Sequence, residues 1–179
     1  MTRTRPSSRR RAASPVRLYL VRHAIAEERG PAWPDDTQRP LTRQGRAGMR
    51  RAVRGLRDLG VELDVVVTSP LVRARQTADI VVRGLEPTPV LVESSSLAPG
   101  QPPSAVLRAL EPYRRGRAVA LVGHEPDLGI LAAFLLGASQ PVAFKKGGVC
   151  CLECSTLPPD GNVRLLWHAT PRMLRRMGE

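Results

Sequence analysis

Short β-branched and aliphatic runs alternate along this chain with longer stretches whose apolar residues recur at helical spacing. A strand buried on both faces reads as a continuous apolar run, whereas an amphipathic helix repeats its apolar residues every three or four positions. Residues 16–21 read as a buried strand. Thr42 is placed to cap a helix in which Met49, Val53, Leu56 and Leu59 recur at helical spacing and which Gly60 ends. Residues 64–68, DVVVT, form a second strand, and Ser69-Pro70 opens another helix, because serine caps well and proline suits the first helical position. A short strand over 90–93 precedes the turn-rich SSSLAPGQPP and a helix over 104–110. Residues 117–122, RAVALV, form a further strand that breaks into Gly123-His124. The apolar helix that follows over 126–136 must bury most of its faces. The last runs, 148–156 and 163–168, read as an antiparallel pair joined by PPDG. This alternation predicts an α/β domain with a mostly parallel central sheet.

Composition adjusts that picture in two places. The chain has 179 residues, 42% of them apolar, which suits one domain with a full core, expected over 16–179 without repeats or a second boundary. The net charge is +12, but Arg3, Arg5, Arg9, Arg10 and Arg11 lie in the Arg/Ser/Pro-rich opening and Arg17 beside it. Residues 1–15 have little to bury and are expected to be a disordered basic tail. With only six aromatic residues and no reader motif, nucleic acid is not the expected partner. No run approaches the roughly 18 apolar residues of a membrane span, so no membrane association and a cytoplasmic location are expected. Cys150, Cys151 and Cys154 crowd into one strand-like run, a poor disulfide framework, and are expected to fill the core.

The chemistry is suggested by three strand ends, VRHA, VTSPLVRA and VGHE. In open α/β sheets, ligands bind outside the carboxyl ends of the strands. Neighbouring strands would bring Arg22, His23, Arg73 and His124 into one pocket. Two guanidinium groups and two imidazoles with no clear carboxylate among them suit phosphate, which the planar guanidinium fork matches in bidentate fashion. The helix expected at Pro70 would add its N-terminal N–H groups. A neutral imidazole beside a held phosphate can also attack it, dividing a difficult transfer into two easier ones. Two histidines without paired acidic or thiol ligands would leave zinc under-coordinated.

LVRHA, LTRQG, TSPLVRARQTA and LVGHEPDL resemble, in order and spacing, the motifs of the histidine phosphatase superfamily, also called phosphoglycerate mutase-like, and most of all its SixA-like phosphohistidine phosphatase group. The likeness runs over about residues 18–136, with an echo in FKKGG. It implies a three-layer α/β/α fold, a transient phosphohistidine and no metal or organic cofactor. Under the resemblance His23 is the nucleophile, Arg22 and Arg73 are phosphate ligands, and His124 binds the transferring phosphoryl group. Ala24 stands where much of the superfamily has glycine, as is common in the SixA-like group. Many relatives place a glutamate in the loop after the third strand as general acid, and the counterpart here reads LAPG, with Pro99 near that position. Glu93 and the loop acids Glu27, Glu28, Asp35 and Asp36 are the alternatives.

The expected activity is a metal-independent phosphohistidine phosphatase working through a covalent phosphohistidine, on a phosphohistidine-bearing protein or a small phosphorylated substrate. An acid-poor site suits an N–P bond, because imidazole leaves more readily than an alkoxide, which typically gains about 10²- to 10⁴-fold from a positioned acid. The alternatives are a phosphatase of small phosphate esters, nucleotides or polyphosphate, and a non-catalytic phosphate-binding module. His168 is expected to be structural, with Trp167, and Lys145 and Lys146 to be a solvated pair.

Overall fold

The computed structural model describes residues 15–179, so the expected tail lies almost wholly outside the described residues. Among the described residues six strands form one sheet: β1 (Val16–Arg22), β2 (Val65–Thr68), β3 (Val90–Glu93), β4 (Ala118–Gly123), β5 (Val149–Cys154) and β6 (Arg164–Ala169). The order across it is β3-β2-β4-β1-β5-β6. β3, β2, β4 and β1 run parallel, β5 is antiparallel to β1, and β6 is antiparallel to β5. The parallel sheet and the antiparallel final pair are as the sequence pattern predicts.

Five α-helices among the described residues cover the two faces: α1 (Arg43–Asp58), α2 (Val72–Gly84), α3 (Pro103–Ala109), α4 (Asp127–Leu136) and α5 (Pro171–Met177). Successive strand residues point to opposite faces, and β1 shows the consequence. Tyr19 and Val21 enter the core under α1, α2 and α5, while Leu18 and Leu20 enter the core under α3 and α4. β5 divides its thiols in the same way, with Cys151 in the first core and Cys150 and Cys154 in the second. All three are free and buried, as expected of core fillers. The fold is therefore a three-layer α/β/α sandwich. No helix among the described residues is long and apolar enough to cross a membrane.

Two elements depart from the sequence pattern. α2 begins at Val72 rather than Pro70, with Leu71 at the cap position and no side-chain cap. The Ser69 hydroxyl is instead engaged by the His124 ring and accepts from the Leu71 N–H. α4 buries most of its faces as expected, through Leu128, Leu131 and Ala132, and leaves Ile130 and Phe134 exposed.

The second departure is α5, an element the sequence pattern does not predict. Thr170 caps it, accepting from the Met173 N–H at 3.3 Å, and Pro171 occupies its first turn. It lies so close on α1 that a Cβ built on Gly55 would fall 2.0 Å from the Leu174 carbonyl oxygen. Gly48, on the same helix, would meet nothing nearer than an Arg175 guanidinium nitrogen at 3.8 Å. Gly55→Ala is therefore expected to be destabilising by about 1–3 kcal/mol through overpacking, whereas Gly48→Ala gains helix propensity without a clash. Thermal melting checks this, and equal melting temperatures for the two variants would contradict the close approach.

Candidate active site

The register of β1 on β4 places Arg22 opposite Gly123, so the next residues of both strands leave the sheet side by side. The His23 N–H donates to the Gly123 carbonyl at 3.0 Å, and the His23 and His124 rings lie 5.2 Å apart, centroid to centroid. β2 completes the row: the Ser69 N–H donates to the Val122 carbonyl at 3.0 Å, and the Ser69 hydroxyl lies 2.8 Å from His124 Nε2. Arg73 stands in the first turn of α2 just beyond. Arg22, His23, Arg73 and His124 are thus brought together at the carboxyl ends of three adjacent strands. His23, Arg73 and His124 are buried and Arg22 is half-buried.

His23 is fixed in one tautomer. Its Nδ1 lies 2.8 Å from the Ala24 carbonyl oxygen, which can only accept, so Nδ1 carries the proton and Nε2 keeps a lone pair. Ala24 is tied in turn, its N–H donating to the Thr77 hydroxyl at 3.1 Å while that hydroxyl donates to the Arg73 carbonyl at 2.7 Å. Burial, aided by the charges of Arg73, Arg22 and Arg39, lowers the His23 pKa to about 4. Burial also lowers His124 to about 3, followed by its neighbour His23 and the Arg73 charge. Both rings are neutral at physiological pH.

Each arginine has at least one terminal nitrogen engaged and its Nε bare. Arg22 Nη1 donates to the Phe144 carbonyl at 2.6 Å, and the Phe144 N–H donates to Glu125 Oε1 at 3.1 Å. Arg73 Nη1 donates to the Asp36 carbonyl at 2.8 Å, and its Nη2 lies 3.0 Å from Asp36 Oδ2. Among the described residues, the buried side-chain nitrogens and oxygens without a partner are Arg22 Nε, Arg73 Nε and His124 Nδ1. An unsatisfied buried polar group costs about 1–3 kcal/mol, and all three fall in this one cluster. Such an arrangement suits an incoming oxyanion that accepts from the guanidinium groups.

The loop after β1 is fastened by the LTRQG segment. Thr42 Oγ1 accepts from the Gly45 N–H at 2.8 Å, and the Thr42 N–H donates to the Ile25 carbonyl at 3.0 Å. A Cβ on Gly45 would meet that carbonyl oxygen at 2.0 Å, so glycine is needed for the contact. From the FKKGG segment the Gly147 N–H donates to both the Arg22 and His23 carbonyls, at 3.1 and 3.0 Å.

A carboxylate does stand among the cations, contrary to the sequence reading. Asp36 lies in a short 3₁₀ turn, Asp36–Gln38, and bonds to Arg29, Arg39 and Arg73. Burial alone would raise its pKa, but hydrogen bonds from Arg39 and Arg29 and the Arg73 charge hold the carboxyl down at about 2. Asp35 is exposed and bonded to Thr37, and Glu93 pairs with Arg75. The Glu27 and Glu28 side chains make no hydrogen bond to the four-residue cluster, and Pro99 is exposed. Glu125 is the nearby carboxyl whose pKa is raised, by burial first.

Sequence reasoning missed several members of this network. Thr77 lies four residues after Arg73, on the same helix face, and Arg39 directly precedes the PLT of the capping motif. Arg39 is nearly buried and donates from Nη1 to the Glu27 carbonyl at 2.6 Å. Ser69, expected to cap α2, meets the His124 ring instead. His168 lies outside the cluster, its ring 4.8 Å from that of Phe144, and Lys145 and Lys146 are exposed. No group of three His, Cys, Asp or Glu side chains among the described residues is arranged to hold a metal ion.

Comparison with known proteins places this geometry in context. Residues 18–95 match the family model of the histidine phosphatase superfamily (branch 1). An uncharacterised protein of Picosynechococcus is 38% identical over 143 residues, covering 77% of this chain and 85% of the relative. Phosphohistidine phosphatase SixA of Escherichia coli is 29% identical over 168 residues, covering 89% and 97%. The structure of the protein histidine phosphatase SixA complexed with tungstate superimposes with a TM-score of 0.78 at 24% identity, over 88% of this chain and 98% of that one. Phosphoglycerate mutase of Bacillus anthracis shares the fold at a TM-score of 0.71 and 14% identity, over 94% and 99%.

The two depressed imidazole pKa values have a consequence for stability. In the unfolded chain both rings take up a proton as the pH falls through about 6.5, whereas the folded rings do so only near 4 and 3. Between those values the unfolded state binds more protons, so folding stability rises with pH and is lost as the pH falls below 6.5. Urea unfolding is expected to give a lower free energy at pH 5 than at pH 7. NMR titration should find neither ring protonating near 6.5, and two ordinary titrations there would contradict the burial.

Proposed function

Because this chain belongs to the histidine phosphatase superfamily and is SixA-like within it, we propose that it hydrolyses phosphohistidine on a protein, without a metal ion, through a phosphorylated His23. One observation carries this reading: the lone pair on His23 Nε2 shares a buried cluster with three unpartnered polar atoms on Arg22, Arg73 and His124. The resemblance of the chain to the E. coli phosphohistidine phosphatase SixA supports the substrate.

In the proposed reaction Arg22 and Arg73 hold the phosphoryl oxygens through their bare Nε–H groups, and His124 steadies the group in flight. His23 Nε2 attacks phosphorus and the N–P bond to the substrate ring breaks. Phosphoryl transfer needs mainly positioning and charge stabilisation, which these residues supply. A phosphohistidine protonated on its other ring nitrogen expels neutral imidazole, so the enzyme need not donate a proton. Water then attacks the phosphorylated His23, releasing inorganic phosphate and restoring the neutral ring. Asp36, with a carboxyl pKa of about 2, is ionised at neutral pH and unsuited to protonate an alkoxide.

Glu125 supports a second reading, hydrolysis of phosphate esters, since burial raises its carboxyl pKa toward that of a proton donor. Its Oε1 is already held by the Phe144 N–H, which favours a supporting role.

Wild type and His23→Ala, assayed against a phosphohistidine protein and a panel of phosphate esters, separate these readings. Phosphohistidine is expected to be the preferred substrate, with an acid-labile phosphoenzyme that His23→Ala abolishes along with turnover. Arg73→Ala is expected to lower kcat/KM by about 10²- to 10³-fold, the usual cost of a transition-state donor. Faster turnover of esters, lost in Glu125→Gln, would instead establish the second reading. Phosphate binding without turnover would make the chain a recognition module, and equal activity of His23→Ala would remove the nucleophile assignment.

A further inference from the structure

Asp36 has a position that neither the family motifs nor the proposed reaction explains. It supplies two acceptors to one guanidinium group, its backbone carbonyl to Arg73 Nη1 at 2.8 Å and its Oδ2 to Arg73 Nη2 at 3.0 Å. Its other oxygen, Oδ1, accepts from Arg39 Nε and Arg29 Nε, each at 2.9 Å. With one hydrogen on each terminal nitrogen taken by Asp36, the nitrogen of Arg73 left wholly without a partner is the buried Nε.

The two arginines of the cluster are anchored differently. Arg22 leans on the Phe144 carbonyl, a backbone group held through Glu125. Arg73 leans on a residue of the long loop that leaves His23 and returns to the Thr42 cap. That residue is seated by its own turn, in which Asp35 Oδ1 accepts from the Thr37 N–H and hydroxyl at 2.9 and 2.6 Å. The Arg39 Nη1 to Glu27 carbonyl bond closes the loop upon itself. Arg73 is almost wholly buried, so without these acceptors it would have to find others or draw in water.

Charge points the same way. The cationic groups Arg22, Arg73 and Arg39 all depress the His23 pKa, and Arg39 and Arg29 act against the Arg73 charge. A single carboxylate shared among three guanidinium groups offsets repulsion that would otherwise splay them.

We propose that Asp36 is the positioning residue of the site: it fixes the Arg73 guanidinium with Nε toward the phosphoryl group and ties the loop after His23 to that arginine. Its contribution is made through Arg73, so the inference rests on Arg73 being a phosphate ligand. A double-mutant cycle tests it. Wild type, Asp36→Ala, Arg73→Ala and the double variant are compared for tungstate affinity by calorimetry and for kcat/KM on a phosphohistidine peptide. Asp36→Asn serves as a second variant that keeps an acceptor, and Glu62→Gln, at an exposed glutamate away from the site, serves as control.

Asp36→Ala is expected to weaken tungstate binding and kcat/KM by about tenfold or more, the scale of a charge-assisted hydrogen bond. Asp36→Asn should fall between it and wild type. In the Arg73→Ala background, removal of Asp36 should cost less than twofold. The proposal is overturned if Asp36→Ala and Asp36→Asn both bind tungstate as wild type does. It is equally overturned if Asp36→Ala costs the same with and without Arg73, as a general loosening of the loop would. Unaltered tungstate affinity in Arg73→Ala alone would instead overturn the phosphate site itself.

Discussion

The parallel hydrogen bonding of β1 to β4 is the constraint from which the site follows. Pairing Tyr19 with Ala120 and Val21 with Val122 ends both strands at one level, so His23 and His124 emerge as neighbours. A slip of one residue would reverse every side chain across the sheet and bury the wrong set. The apolar residues on both faces of these strands hold that register, since each strand feeds two separate cores. The geometry of the imidazole pair is therefore specified by residues that never meet a substrate.

That pair is kept neutral by the same burial, and the burial brings an electrostatic difficulty. Several guanidinium groups stand within each other's field in a place where water has limited access. Neutral rings avoid adding to the repulsion, and Asp36 counters it directly. The cluster is thus a balance between attraction for a phosphoryl group and repulsion among the residues that would hold it. Asp36, a candidate proton donor by its sequence position, belongs to that balance because the arginines around it keep it ionised.

Much of this was legible in the sequence where the information was local. Strand ends VRHA and VGHE carry their polar residues directly after a buried run, and the α/β alternation implies that such ends meet on one side of the sheet. The contacts of Asp36 and Arg39 were not legible, because they depend on how a long irregular loop closes against α2. One local signal illustrates the limit. A hydroxyl followed by proline marks the start of α5 at Thr170-Pro171. At Ser69-Pro70 the same signal misplaces α2 by two residues, since the Ser69 hydroxyl is drawn to His124 by a contact 55 residues away. A capping residue is dependable only where nothing tertiary competes for its oxygen.

The three cysteines of β5 offer a different kind of information. Cys150 and Cys154 lie in the layer beneath α3 and α4, and Cys151 lies in the layer beneath α1, α2 and α5. Burial raises the thiol pKa to about 12 for Cys150 and about 11 for Cys154, and raises that of Cys151. Reactive thiolate is thus scarce while the sheet is closed. Alkylation of each thiol becomes a clock for the opening of its own layer, and the protein carries natural reporters on both sides of one strand. Equal labelling rates would mean that the two halves of the sandwich come apart together; unequal rates would reveal which helical layer lifts away first.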